Sequence, residues 1–174
     1  MLFDVAQLLK EGVGAREGYS LDEAVEALQE SGTTRVWGNM TLTCTDKGIW
    51  VSGKIEANAS GPCSRCLNPI EYPVRFRMEE EYLPTVDLGS GMPLEVPEVK
   101  DGAFTIDSHH ILDLTEAVRQ YFIVNLPMKP LCKEHCAGLC PRCGANLNEG
   151  GCDCSAQVDP RWSALLDLLP TGKR

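Results

Sequence analysis

Residues 131–154, LCKEHCAGLCPRCGANLNEGGCDC, hold six of the nine cysteines of the chain, and a further pair stands at CSRC. The sulfurs fall into four close pairs: Cys63 with Cys66, Cys132 with Cys136, Cys140 with Cys143, and Cys152 with Cys154. A tetrahedral zinc ion takes four sulfurs at about 2.3 Å, usually delivered as two such pairs. Eight ligands therefore make two complete sites. The N-terminal MLFDVAQLLKEG is too short and too acidic, with Asp4, for a secretory leader. A cytosolic chain keeps its thiols reduced, and an odd cysteine count suits disulfides poorly. Metal binding is the leading use of the cluster.

CPRCG is the sharpest element. Two cysteines flanking a two-residue turn can both face one ion, and Gly144 tolerates the positive φ that turns backbone N–H groups toward the sulfurs. The pair CDC returns after a Gly- and Asn-rich hairpin. The expected grouping puts Cys140, Cys143, Cys152 and Cys154 on one ion. By elimination, Cys63, Cys66, Cys132 and Cys136 share another, clipping a sheet hairpin to the start of the tail. A rival grouping joins Cys132, Cys136, Cys140 and Cys143, and His135 is able to replace a sulfur, since neutral imidazole is a normal ligand. The same sulfurs would also serve an iron–sulfur cluster, though paired knuckles favour zinc. CSRC alone resembles a redox dithiol, with Arg65 favouring the thiolate, but such pairs head a helix in a βαβ setting and here strands flank it. Cys44, on the inward side of a strand, reads as a buried hydrophobe. Four thiolates close a zinc site, so both ions are expected to be structural and unable to activate water.

The charge is uneven. The chain totals −9, and residues 79–117 alone carry −9, with ten acids against Lys100. Residues 47–78 sum to +3 and 118–174 to +2, and these basic stretches hold eight of the nine cysteines. Generic nucleic-acid affinity needs many Lys and Arg contacts to phosphate, so a basic protein partner fits the total better. A specific RNA site on the basic part would use Arg65, Arg75, Arg77, Lys129, Lys133 and Arg142.

Patterning predicts a short helix over 4–10 and a second over 20–32. In the second, Ser20 and Glu23 match a capping box and Leu21, Ala24, Val25 and Leu28 share a face. VWGNMTLTCT and IWVSGKIEANA alternate with period two around the turn TDKG, which reads as a hairpin. IEYPVRFRMEEEYL alternates again, with Val74, Phe76 and Met78 inward and Pro73 suggesting an edge. Residues 84–102 read as a mobile acidic loop, AFTID as a short strand, and Asp113 with Glu116 as the cap of a helix burying Leu114, Val118 and Tyr121 or Phe122. A last helix starts at Asp159–Pro160 and carries Trp162, Leu165, Leu166 and Leu169. The expected fold is α+β: an antiparallel, barrel-like sheet with flanking helices over 1–130, and a cysteine-rich zinc-binding tail with a terminal helix over 131–174. No run of about 18 apolar residues exists, so no membrane role is expected.

His109 and His110 are adjacent and would face opposite ways on a strand, and Glu79–Glu81 are consecutive rather than paired on one face. No phosphate loop, nucleophile elbow or His-Glu hydrolase pattern is present. The chain reads as a non-enzyme with no small-molecule substrate.

Taken in order, LFDVAQLLKEGVG, CSRCL, EEEYLP, TIDSHHILDLTEAVR, LPMKPLC, CAGLCPRCGANLNEGGCDC and DPRWSALLDL resemble the YceD family of large ribosomal RNA subunit accumulation proteins. The resemblance runs from near residue 2 to near 169. It implies a small cytosolic bacterial protein, with plastid relatives, that supports synthesis, processing or stability of 23S ribosomal RNA. It implies no active site. Family members differ in the tail, some lacking the GLCPRCG…CDC part, which fits two separable metal sites. The expected function is a ribosome assembly factor whose partner is large-subunit RNA, a basic ribosomal protein, or both. The competing readings are a redox or metal-handling cysteine protein and a zinc-ribbon nucleic-acid-binding regulator.

Overall fold

The computed structural model of the chain describes residues 1–26, 33–94, 102–154 and Arg161. It divides into two compact units, Met1–Gly61 with Pro69–Pro130, and Pro62–Asn68 with Leu131–Arg174. The second unit thus takes in the CSRC turn as well as the tail.

The first unit is built on a seven-stranded sheet. Its elements are β1 (Leu2–Asp4), α1 (Ala6–Glu11), β2 (Arg16–Glu26), β3 (Thr33–Cys44), β4 (Ile49–Pro62), β5 (Pro69–Pro84), β6 (Phe104–Ile106), β7 (Ile111–Asp113) and α2 (Thr115–Val124). The strand order is β1-β7-β6-β5-β4-β3-β2. Most pairings with a register are antiparallel, but β5 and β6 run parallel, Tyr82 opposite Phe104. The expected antiparallel sheet is therefore a mixed one. The long connection after Pro84 brings the chain back to the same end of the sheet, which a tight hairpin cannot do. β5 lies between β6 and β4 in the strand order, but at Pro73 itself the expected edge position holds. The reason is local: β6 pairs with β5 only over Tyr82–Pro84, well downstream of Pro73.

Residues 16–26 form a strand where 20–32 was expected to be helical. Leu21 and Val25 are buried, and a spacing of four places two residues on one face of a helix and of a strand alike. Pairing decided between them. β2 lies against β3 through eleven registered pairs, from Arg16–Thr43 to Glu26–Thr33. Asp22 adds a bidentate ion pair to Arg35 across that ladder at 2.8 Å. The rest of the expected helix, 27–32, lies outside the described residues.

The sheet curls on itself. β1 and β2 are at opposite ends of the strand order, yet the rings of Phe3 and Tyr19 meet edge to face at 5.1 Å. The amino terminus lies 3.7 Å from Glu23 Oε2. Gly38 permits tight packing of β3 on β4, because a Cβ there would collide with the Lys54 carbonyl oxygen. The inner face carries the core: Val36, Met40 and Leu42 of β3, Val51, Ile55, Ala57 and Ala59 of β4, and Val74, Phe76 and Met78 of β5. α2 closes it with Ala117, Val118 and Phe122, and α1 with Leu8. Cys44 is buried in this core, and burial pushes its thiol pKa up.

The expected cap of α2 is rearranged. Leu114 is the N-cap and makes no side-chain bond, while Asp113 Oδ1 accepts the Thr115 N–H at 2.9 Å and the Thr115 hydroxyl at 2.6 Å. Glu116 turns instead to Arg119, accepting two bonds at 2.6 and 2.7 Å. The first part of the expected mobile loop is a closed turn: Val86 bridges Pro93, and Asp87 Oδ1 accepts the N–H and hydroxyl of Ser90. Residues 95–101 lie outside the described residues. So does the expected helix from Asp159, apart from Arg161. Among the described residues, no helix is long and apolar enough to cross a membrane.

Candidate metal centre

The second unit gathers its eight cysteines into two tetrads. Cys63, Cys66, Cys132 and Cys136 form one, and Cys140, Cys143, Cys152 and Cys154 the other, each with sulfurs within 4.8 Å of one another. This is the expected grouping, reached for the tail set from CPRCG and for the other by elimination. The rival set mixing Cys132 and Cys136 with Cys140 and Cys143 is not brought together, and His135 is exposed and belongs to neither tetrad.

The local folding follows from the sequence between the pairs. CSRC makes a single turn: Cys63 N–H donates to the Asn68 carbonyl and Leu67 N–H back to the Cys63 carbonyl. Arg65 does not project as a free cation. Its Nη1 donates to the Cys136 carbonyl oxygen at 2.9 Å, fastening the turn to the segment that delivers the second cysteine pair. CPRCG repeats the turn, with Gly144 N–H donating to the Cys140 carbonyl and Gly144 at φ +73°. A side chain at that φ would be strained.

The sulfur geometry fits one ion per tetrad. A tetrahedral ion with sulfurs at about 2.3 Å holds them about 3.8 Å apart. Cys63 Sγ lies 3.9 Å from Cys136 Sγ, and Cys66 Sγ lies 3.7 Å from Cys132 Sγ. A disulfide needs about 2.05 Å, and all nine cysteines are free. The backbone N–H groups of Cys66 and Arg65, with that of Cys132, aim at Cys63 and pull its thiol down to about 6. Those of Cys143 and Arg142 do the same to Cys140, also to about 6. The thiols that donate into these clusters move the other way. Cys132, donating to Cys136, and Cys154, donating to Cys143, are both pushed up to about 12. Neither tetrad favours four thiolates at once: in the first, Cys63 and Cys136 are drawn down while Cys66 and Cys132 are pushed up, and in the second Cys140 is drawn down while Cys152 and Cys154 are pushed up. A divalent cation held by the four sulfurs would remove that conflict, its charge taking the place of the shared protons.

The expected RNA- or partner-binding bases divide between the units. Arg65, Lys133 and Arg142 belong to the second; Arg75, Arg77 and Lys129 belong to the first. Arg75 pairs with Glu56 at 3.1 Å, and Arg77 pairs with Glu79. The first unit also has a groove of about 550 Å³ that the patterning did not reveal, lined by Glu79, Glu80, Glu81, Trp50, Leu83 and Phe104 among others. The sequence signal for it was Trp50, an outward residue between the buried Ile49 and Val51. His109 and His110 sit in the tight β6–β7 turn, where Asp107 Oδ1 accepts the N–H groups of His109 and Ile111.

A curled mixed sheet joined to a small unit with two cysteine tetrads defines the class of protein. The chain belongs to the YceD family, described as large ribosomal RNA subunit accumulation protein YceD, whose family model matches residues 51–169. An uncharacterized protein of Mycobacterium tuberculosis is 29% identical over 131 residues, covering 75% of this chain and 60% of its own length. The chain thus spans about three-fifths of the length of such relatives. An uncharacterized protein of Mycobacterium leprae is 25% identical over 183 residues, covering 97% of this chain and 77% of its own. A chloroplastic protein of Arabidopsis thaliana, named large ribosomal RNA subunit accumulation protein YCED homolog 1, is 31% identical over 61 residues, 35% of this chain and 16% of its own. No solved structure matches the chain.

Proposed function

We propose that this chain is a non-enzymatic, cytoplasmic ribosome biogenesis factor that supports synthesis, processing or stability of 23S ribosomal RNA in the large subunit. Two structural zinc ions hold its second unit together. Family membership gives the ribosomal direction. The observation that carries the rest is the pair of four-sulfur sets. A zinc ion held by four thiolates has no open position, so it shapes the chain and neither polarises a substrate nor generates hydroxide. Cys63, Cys66, Cys132 and Cys136 would hold one ion, and Cys140, Cys143, Cys152 and Cys154 the other.

The direct partner on this reading is a basic protein of the large subunit, with RNA reached through it. Among the candidate bases, Arg65 is committed to a carbonyl, and Arg75 and Arg77 to carboxylates. Eight thiolates and two divalent ions would add a further −4 to a chain already at −9, which weakens attraction to phosphate. The groove with its three glutamates and Trp50 suits lysine and arginine side chains, through charge and through the ring face.

Purification of the chain from cells, with and without ribonuclease, tests the reading. The expected result is a basic large-subunit protein retained after ribonuclease, about two zinc ions per chain, and a fall of 23S relative to 16S RNA when the gene is deleted. Unchanged 23S levels on deletion would remove the ribosomal role. Reversible disulfide exchange by a metal-free chain would favour the redox reading instead.

A further inference from the structure

Asn148 stands on the loop between Cys143 and Cys152, so both ends of that loop are ligands of one tetrad. Its side chain faces the other. Asn148 Nδ2 donates to Cys136 Sγ at 3.3 Å and to Asn146 Oδ1 at 2.9 Å, while Asn148 Oδ1 accepts the Ala137 N–H at 2.9 Å. The amide orientation follows from chemistry. A backbone N–H only donates, so the atom it meets must be oxygen, and nitrogen then faces the sulfur. The loop is laid along residues 137–139, the link between the tetrads. Leu147 N–H donates to the Gly138 carbonyl at 2.9 Å, and Leu139 bridges Asn146.

We propose that Asn148 is a positioning residue that couples the two metal centres. Ligation by Cys143 and Cys152 fixes the loop, the fixed loop presents an N–H to Cys136, and the centre containing Cys136 binds its ion more tightly in consequence. The proposal rests on the two-ion reading above. An N–H···S bond draws negative charge from a thiolate and so eases the crowding of four thiolates round one ion. With the second centre empty, the loop must be ordered by its own few bonds, and that entropy is charged against the bond to Cys136. Linkage makes the effect reciprocal: the first centre, once filled, tightens the second by the same factor.

The experiment uses the full chain, stripped of metal under reducing conditions and titrated with cobalt(II), followed by zinc competition against a chelator of known affinity. Thiolate-to-cobalt absorption counts the centres, and Cys143→Ser with Cys154→Ser disables the second. Two variants separate the parts of the contact. Asn148→Ala removes both bonds, and Asn148→Asp keeps the acceptor for Ala137 N–H but loses the donor to sulfur. The expected result is a first centre weakened about 10-fold or more in both variants, within the 10–100-fold range of outer-sphere partners. Disabling the second centre should weaken the first by a similar factor in the parent chain and change it little in the Asn148→Ala background. A first centre that stays within about twofold of the parent value in both variants, or with the second centre disabled, overturns the coupling. Should the Asn148 variants lose both ions together, the Cys143→Ser, Cys154→Ser chain decides alone. A parent chain that binds no cobalt and no zinc fails the two-ion reading itself, an outcome distinct from two independent ions.

Discussion

The two units reach order by different means. In the sheet unit, buried aliphatic and aromatic side chains from every long strand and from both helices meet in one core. In the second unit, the buried side chains among the described residues are cysteines: Cys63, Cys66, Cys136 and Cys140. Among its described leucines, Leu67 and Leu131 are exposed and Leu139 and Leu147 are only partly buried. A few tens of residues without such a core do not offset the entropy of ordering a chain, unless a metal or a disulfide supplies the difference. On the two-ion reading proposed above, the first unit stands on its own core and the second depends on its ions.

That contrast breaks most sharply on metal removal. Structural zinc in small sites binds with about 10–16 kcal/mol near neutral pH, as much as the whole stability of a typical domain. Stripping the chain with a strong chelator should disorder the second unit completely while the sheet unit stays folded. Limited proteolysis should then cut within residues 131–154 and spare β3 and β4. Resolved amide signals from Cys140–Cys154 in the stripped chain would show a unit that stands without its ion. The reverse experiment is Phe122→Ala, which empties a fully buried site on α2. Such truncations cost about 3–5 kcal/mol. Urea unfolding of the sheet unit should move by that amount while zinc content stays the same.

The contrast also separates what the sequence disclosed from what it hid. The tetrads were legible because ligand chemistry demands particular atoms at short spacings, and CPRCG or CSRC satisfies that demand locally. The β3–β4 hairpin was legible for a similar reason: Val36, Met40 and Leu42 on one strand and Val51, Ile55 and Ala57 on the other make two period-two faces joined by a turn. β2 was not legible. Leu21 and Val25 suit a helix and a strand equally, and only the ladder to β3, with Asp22 reaching Arg35, settles the matter. The parallel β5–β6 pairing and the Glu79–Trp50–Phe104 groove depend on how distant strands close, which no local window contains. Asn148 read only as hairpin composition, because its meaning lies in a sulfur twelve residues away.

A smaller effect is expected where the amino terminus joins the sheet unit. Asp113 Oδ1 holds the Thr115 N–H at the start of α2 and lies 3.9 Å from the Met1 amino group. Asp113→Ala leaves that N–H to water and should cost about 1 kcal/mol, as loss of a cap does. Urea midpoints of parent and variant, both zinc-loaded, measure it. A cost near that of Phe122→Ala would mean that polar fastening at the terminus matters as much as core burial, and the contrast between units would need redrawing.

The smallest effect concerns charge alone. Side-chain bonds from Arg119 and Gln120 hold the Glu116 carboxyl down at about 2. The folded-state value lies below the ordinary one near 4.5, so the pair contributes stability above that ordinary value. The contribution fades as pH falls from there and is gone below about 2. Both partners are well exposed, and water and salt screen such pairs, so the contribution is a minor one. The carboxyl carbon shift of Glu116, followed by NMR as acid is added, should titrate well below the ordinary carboxylate value, and Arg119→Met should return it toward that value. Added salt should narrow the gap. A Glu116 that titrates near the ordinary value of 4.5 would show that the pair is not held in solution, and the sheet unit would then owe its order still more fully to apolar burial.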